Sequence, residues 1–163
     1  MCFSEVPFKV STYFFPLNLD TSEIKGMSGF IFLHNLGGTL ILLGQTDRYF
    51  SYLSKAWYPA WEKKEIIFEL HENLKFSDGS PITTEDVEFS IKRLILKDSM
   101  HLGLRELIKG ADKINSIDDK VAGIKIIDKY KIRFLFTKMS PLNLYIFSLP
   151  DSTIISKKQL KNG

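Results

Sequence analysis

The residues that could do chemistry in this chain are few and scattered. His34, His71 and His101 share no ligand spacing, and Cys2 is the single cysteine, so a zinc site would have to recruit distant carboxylates as well. One cysteine also excludes an internal disulfide. The acid pairs Glu85-Asp86 and Asp118-Asp119 read as helix-start and turn residues rather than as a catalytic dyad. No serine or cysteine stands in a nucleophile-elbow context. Gly37-Gly38 precedes a strand, the wrong order for cradling a phosphate, and reads as a helix terminator. The residues ask for no enzyme, no metal and no cofactor.

Charge and hydropathy narrow the partners. Of 163 residues, 22 are Lys or Arg and 19 are Asp or Glu, giving a net charge of +3. The densest basic stretch, Lys157, Lys158 and Lys161, is a solvated tail rather than a nucleic-acid arm, so no nucleic-acid partner is expected. No segment reaches the roughly 18 apolar residues that span a bilayer. The most apolar run, Phe30 to Leu43, is interrupted by His34, Asn35, Gly37 and Gly38. The opening residues lack the basic and apolar regions of a signal peptide, leaving a cytoplasmic chain or an export signal outside this sequence.

The elements that must position these residues follow from local pattern. Phe8-Lys9-Val10-Ser11 alternates as a strand, and a short helix is expected from about Ser28 to Leu36. Thr39 to Leu43 reads as a strand buried on both faces. Ile66 to Leu70 reads as a strand with Ile66, Phe68 and Leu70 on one face. Ser77-Asp78-Gly79-Ser80 is a turn in which glycine supplies the positive φ. Thr83, with Asp86 three residues on, forms a capping box that opens a helix. Val87, Ile91, Leu94 and Ile95 then make its core-facing stripe. A second helix is expected from about Leu104 to Ile114.

Two strands follow, Ile124–Ile127 and Lys131–Phe136, around the turn Asp128-Lys129-Tyr130. The alternation of Ile132, Phe134 and Phe136 against Arg133 and Thr137 predicts one solvent-facing side. Pro141 opens a last short helix, and Thr153 to Ile155 reads as a final strand. Strands and helices mix without a βαβ rhythm, which predicts an α+β fold with a mixed, largely antiparallel sheet and packed helices.

The stretch from Phe68 to Leu94 strongly resembles the signature of the family-5 extracellular solute-binding proteins, which deliver oligopeptides, dipeptides or nickel to ABC transporters. Leu70, Lys75, Phe76, Asp78, Gly79, Pro81, Thr83, Asp86, Val87, Ser90, Arg93 and Leu94 all fall in register with it. His71 stands where the family usually has Arg, and Thr84 where it usually has Ala. Leu17-Asn18-Leu19-Asp20, Leu53 to Trp57, Ile126 to Phe134, Pro141 to Leu149 and Thr153 to Lys157 are similar to further family segments, so the resemblance covers nearly the whole chain.

The resemblance implies the N-terminal part of a two-lobe, periplasmic-binding-protein-like fold. Residues 1–37 would be the opening strand and helix of the first lobe, 38–155 an inserted α+β domain, and 156–163 the start of the return. The signature residues would be structural. Solute contact would fall on Lys25, Gly26 and Met27, largely through backbone, with His101 in the loop after the signature helix. Glycine permits close backbone approach there, and methionine an adaptable apolar surface.

The implied partners are a small solute, most simply a peptide, and an ABC permease. The implied location is the periplasmic or extracellular face of the bacterial membrane, if an export signal precedes the segment. In that case Cys2 is a candidate lipid-attachment residue, against the plainer reading of an incidental cysteine. At this length the chain lacks the second lobe, so by itself it is expected to bind solute weakly or not at all. A free-standing interaction domain without solute binding is the alternative.

Overall fold

Four antiparallel strands form the main sheet, and their pairing follows from where the apolar residues fall. The computed structural model describes residues 37–97 and 103–158, together with Gly29 and Leu33. A hairpin of β1 (Ile41–Leu43) and β2 (Tyr49–Ser51) comes first. The main sheet contains β3 (Ser54–Ala60), β4 (Glu65–Leu70), β5 (Ile124–Asp128) and β6 (Lys131–Leu135), in the order β3-β4-β6-β5. The helices are α1 (Thr84–Leu96), α2 (Leu104–Leu107) and α3 (Leu142–Tyr145). Short 3₁₀ turns lie at Ala111–Lys113, Ile146–Ser148 and Pro150–Ser152. The α+β class with a largely antiparallel sheet is the observed one.

Register places the core on one sheet face. Ile66 pairs with Phe134 and Phe68 with Ile132, and all four are fully buried. Phe147, from the turn after α3, stacks into this face with ring centroids 4.8 Å from Phe68 and 4.7 Å from Phe134. Burying each such ring contributes about 1.5–3 kcal/mol, and aromatic contact adds about 0.5–1.5 kcal/mol per pair. The α1 stripe of Val87, Ile91, Leu94 and Ile95 is buried in the same cluster.

The other sheet face carries charge, as the alternation in β6 implies. Lys55 and Lys131 flank Glu69 at 3.0 and 3.6 Å, and Arg133 lies 3.6 Å from Glu65. The hydrogen bond from Lys55 holds the Glu69 carboxyl below its ordinary pKa and raises that of Lys55. Such solvent-accessible pairs at a sheet face are only partly buried and contribute modestly to stability. The edge strand β3 contains Pro59 and an irregular register between Ser54 and Ala56, two features that blunt an edge against further pairing.

Four local expectations are corrected. The stretch expected as one helix to Ile114 is broken: α2 stops at Leu107, Ile108 bridges Phe136, and Gly110 takes φ 76 before the 3₁₀ turn. β1 is buried only at its start, since Leu43 is 37% exposed. Thr153 to Ile155 joins no ladder; Ile154 N–H donates to Gly38 O at 2.8 Å instead. The strands Tyr49–Ser51 and Ser54–Ala60 were not legible, because their order comes from pairing rather than from apolar alternation. The turn before β6 is tighter than expected, with Asp128 inside β5. The expected strand at Phe8 to Ser11 lies outside the described residues, as does most of the helix expected near Ser28 to Leu36; within the latter, Gly29 and Leu33 are helical.

Candidate functional site

The segment with the most specific sequence pattern builds a fixed corner of the fold. Asp78 Oδ1 accepts the Ser80 N–H at 2.9 Å and the Ser80 hydroxyl at 2.6 Å, while Gly79 takes φ 82. Ile82 N–H donates to Leu74 O at 3.0 Å, folding Pro81 back against Lys75. Thr83 then caps α1. Asp86 Oδ2 accepts the Thr83 N–H at 2.9 Å and its hydroxyl at 3.0 Å. These bonds satisfy donors that would otherwise be orphaned at a helix start.

The buried face of α1 does a second job. Asp86 Oδ1 accepts the backbone N–H of Lys157 at 3.1 Å, and Ser90 Oγ accepts that of Ile155 at 3.0 Å. Ser90 in turn donates to Asp86 O at 2.7 Å. One turn of helix thus fastens residues 155 to 157, and both side chains are at most 8% exposed. Lys157 adds a 2.9 Å ion pair to Glu85, which raises the lysine pKa. Sequence reasoning gave Asp86 a capping role and Ser90 none. The usable signal was a pair of polar residues at i, i+4 bordering the apolar stripe.

Both departures from the family pattern are occupied locally. Thr84 is buried, and its hydroxyl donates to Asp128 O at 2.8 Å and Lys129 O at 3.2 Å, tying the start of α1 to the β5–β6 turn. His71 Nε2 lies 3.3 Å from Ser51 Oγ at an exposed position.

The residues expected to touch solute, Lys25, Gly26, Met27 and His101, all lie outside the described residues. Their flanks are described. Leu33, buried, accepts the N–H of Gly37 at 2.9 Å, and the His101 loop leaves α1 at Lys97 and rejoins at Gly103, which takes φ 53. Among the described residues no group of three or more His, Cys, Asp or Glu could hold a metal ion, and no helix is long and apolar enough to cross a membrane. A pocket of about 180 Å³ beside α1 is lined by Glu85, Glu88, Lys92, Asp118 and Lys157, with Lys92 paired to Glu88 at 3.1 Å and Lys157 to Glu85 at 2.9 Å.

This corner lies within the span of a family profile. The profile described as "Bacterial extracellular solute-binding proteins, family 5 Middle" matches residues 51–163. The chain belongs to this family.

Its family-5 relatives are similar over different extents. The probable D,D-dipeptide-binding periplasmic protein DdpA of Escherichia coli K12 is 42% identical over 43 residues, 26% of this chain and 8% of that protein. The dipeptide-binding protein DppE of Bacillus subtilis 168 is 27% identical over 99 residues, 60% of this chain and 18% of the relative. The structure of the Escherichia coli murein tripeptide binding protein MppA superposes with a TM-score of 0.78 at 19% identity, covering 91% of this chain and 30% of that one. At that identity the likeness shows the fold. The chain spans less than a third of each of these relatives.

Proposed function

We propose that this chain is the N-terminal portion of an ABC-transporter substrate-binding protein that captures peptides or similar small solutes for import. The observation that carries this reading is the family-5 match over residues 51–163, which contains the whole Phe68-to-Leu94 signature. The two curated relatives are named for dipeptides and the solved structure for a murein tripeptide, which supports a short peptide as the solute.

In this reading Lys25, Gly26 and Met27 meet the solute through backbone groups, and His101 approaches it from the loop after α1. Solute is trapped when a second lobe closes over it, and the closed form docks on the permease. Residues 1–37 open the first lobe, 38–155 form the inserted domain and 156–163 begin the return. The bond joining Gly38 O to Ile154 N–H supports that division, because it brings the two ends of the insert together. The protein works on the periplasmic or extracellular side, and Cys2 is its candidate lipid anchor.

The test is a calorimetric titration of the chain with a mixture of di- to pentapeptides. One lobe without its partner gives an affinity weaker than about 0.1 mM, since much of the solute surface stays in water. A micromolar affinity for this chain alone would overturn the reading that the cleft needs a second lobe.

A further inference from the structure

A pocket of about 410 Å³ opens between the β1–β2 hairpin and α3, lined by Leu43, Asp47, Tyr49, Pro141, Leu142 and Tyr145. That volume lies in the range of small-molecule sites, roughly 300–1,000 Å³. Leu43 and Tyr49 are directly opposite in the hairpin, so both side chains stand on the face turned toward α3. Leu142 is 63% exposed and Tyr145 38%, leaving the apolar wall open to solvent.

Charge in this pocket has one sign. Among the described residues Asp47 is the sole lining residue with a formal charge, and it is delivered by a turn in which Gly44 N–H donates to Arg48 O at 2.8 Å. Its φ of 53 is a left-handed conformation that Asp and Asn tolerate better than most residues. Burial first, then the neighbouring Tyr145 and Asp47, raises the pKa of the Tyr49 phenol. Tyr49 therefore stays protonated at neutral pH and offers a hydroxyl and a ring face. An anion entering here would meet a carboxylate with no lysine or arginine among the described lining residues to offset it. A cation would meet that carboxylate and the electron-rich faces of two tyrosines.

We propose that this pocket binds small apolar amines, with the ammonium directed to Asp47 and an aromatic or branched body against Leu43, Leu142 and the two tyrosine rings. The proposal does not rest on the solute contacts proposed at residues 25–27 and 101.

The test compares phenethylamine with 3-phenylpropionate, which has a similar body and the opposite charge, by NMR titration of the full chain. The amine should shift the Tyr49 and Tyr145 ring signals saturably and bind at least about tenfold more tightly than the acid. Asp47→Asn, which keeps a residue suited to the left-handed turn, should weaken the amine at least about fivefold and leave the acid no weaker. Leu142→Ser, at an exposed position, should weaken the amine without lowering the melting temperature and serves if Asp47→Asn perturbs the turn. No saturation by about 10 mM, equal binding of amine and acid, or an unchanged amine affinity in folded Asp47→Asn and Leu142→Ser would each overturn the proposal.

Discussion

Asp86 and Lys157 are 71 residues apart, yet the Asp86 carboxylate accepts the Lys157 backbone N–H at 3.1 Å. The same side chain caps its own helix through Thr83. A single residue therefore sets both where α1 begins and where the chain returns to it.

Removing that carboxylate should be costly. Asp86→Ala deletes a capping bond, worth about 0.5–2 kcal/mol, and leaves the Lys157 N–H without its charged acceptor, a further loss of about 1–3 kcal/mol. We expect a total near 3 kcal/mol, read as a lower urea midpoint at unchanged slope. Ser90→Ala should cost about 1–2 kcal/mol, because the Ile155 N–H loses its acceptor and Asp86 O loses the hydroxyl that donates to it. A double-mutant cycle should return a coupling of at least about 0.5 kcal/mol, as both residues hold one segment. Strict additivity would mean that they do not act together.

Two glycines should separate a packing effect from a conformational one. A Cβ at Gly123 would lie 2.7 Å from both Leu135 O and Lys109 O, backbone atoms that cannot swing aside. Gly123→Ala should cost about 2 kcal/mol. At Gly79 a Cβ meets nothing within 4 Å, and the penalty comes from φ 82 alone. Gly79→Ala should cost about 1 kcal/mol. Thermal melts should rank the two variants in that order.

Phe147 closes the sheet face by touching Phe68, Phe134 and Phe136. Phe147→Ala should cost about 4 kcal/mol through lost contact and the cavity left behind. Phe147→Leu, which retains most of the volume, should cost less than half as much, again by urea unfolding.

The pH dependence should carry a contribution from Asp119. Backbone N–H groups of Asn115 and Ser116 donate to its Oδ2 at 2.8 and 2.9 Å and hold its pKa below the ordinary carboxylate value. A depressed folded pKa means stability that is present above the unfolded value, about 3.9, and is lost as pH falls through the folded one. Asp119→Asn should be less stable than the parent at pH 7. The gap should narrow as the solution is acidified below about pH 4, followed by urea midpoints across pH. A gap independent of pH would contradict this assignment.

What could be read from sequence was what local chemistry specifies. The start of α1 was legible because Thr83, Asp86 and the Val87-to-Ile95 stripe lie within a few turns of one another. The inward face of β6 was legible because Ile132 and Phe134 alternate with Arg133. Elements decided by distant partners were not. Leu104 to Ile114 has a helical pattern, but Ile108 is drawn into a bridge with Phe136. Thr153 to Ile155 has a strand pattern, but its donors go to Gly38 O and Ser90 Oγ. The pocket at Asp47 and Tyr145 joins residues almost a hundred positions apart, and no local pattern announces it. The solute contacts proposed at Lys25, Gly26, Met27 and His101 came only through family resemblance, since a backbone-binding turn would have no side-chain signature of its own.

The most direct measurement is a ¹⁵N NMR titration of the chain with short peptides at millimolar concentration. The expected result is saturable shifts at the amides of Lys25, Gly26, Met27 and His101, with an affinity weaker than about 0.1 mM. Shifts that leave those four amides unmoved, or micromolar binding by this chain alone, would contradict the account.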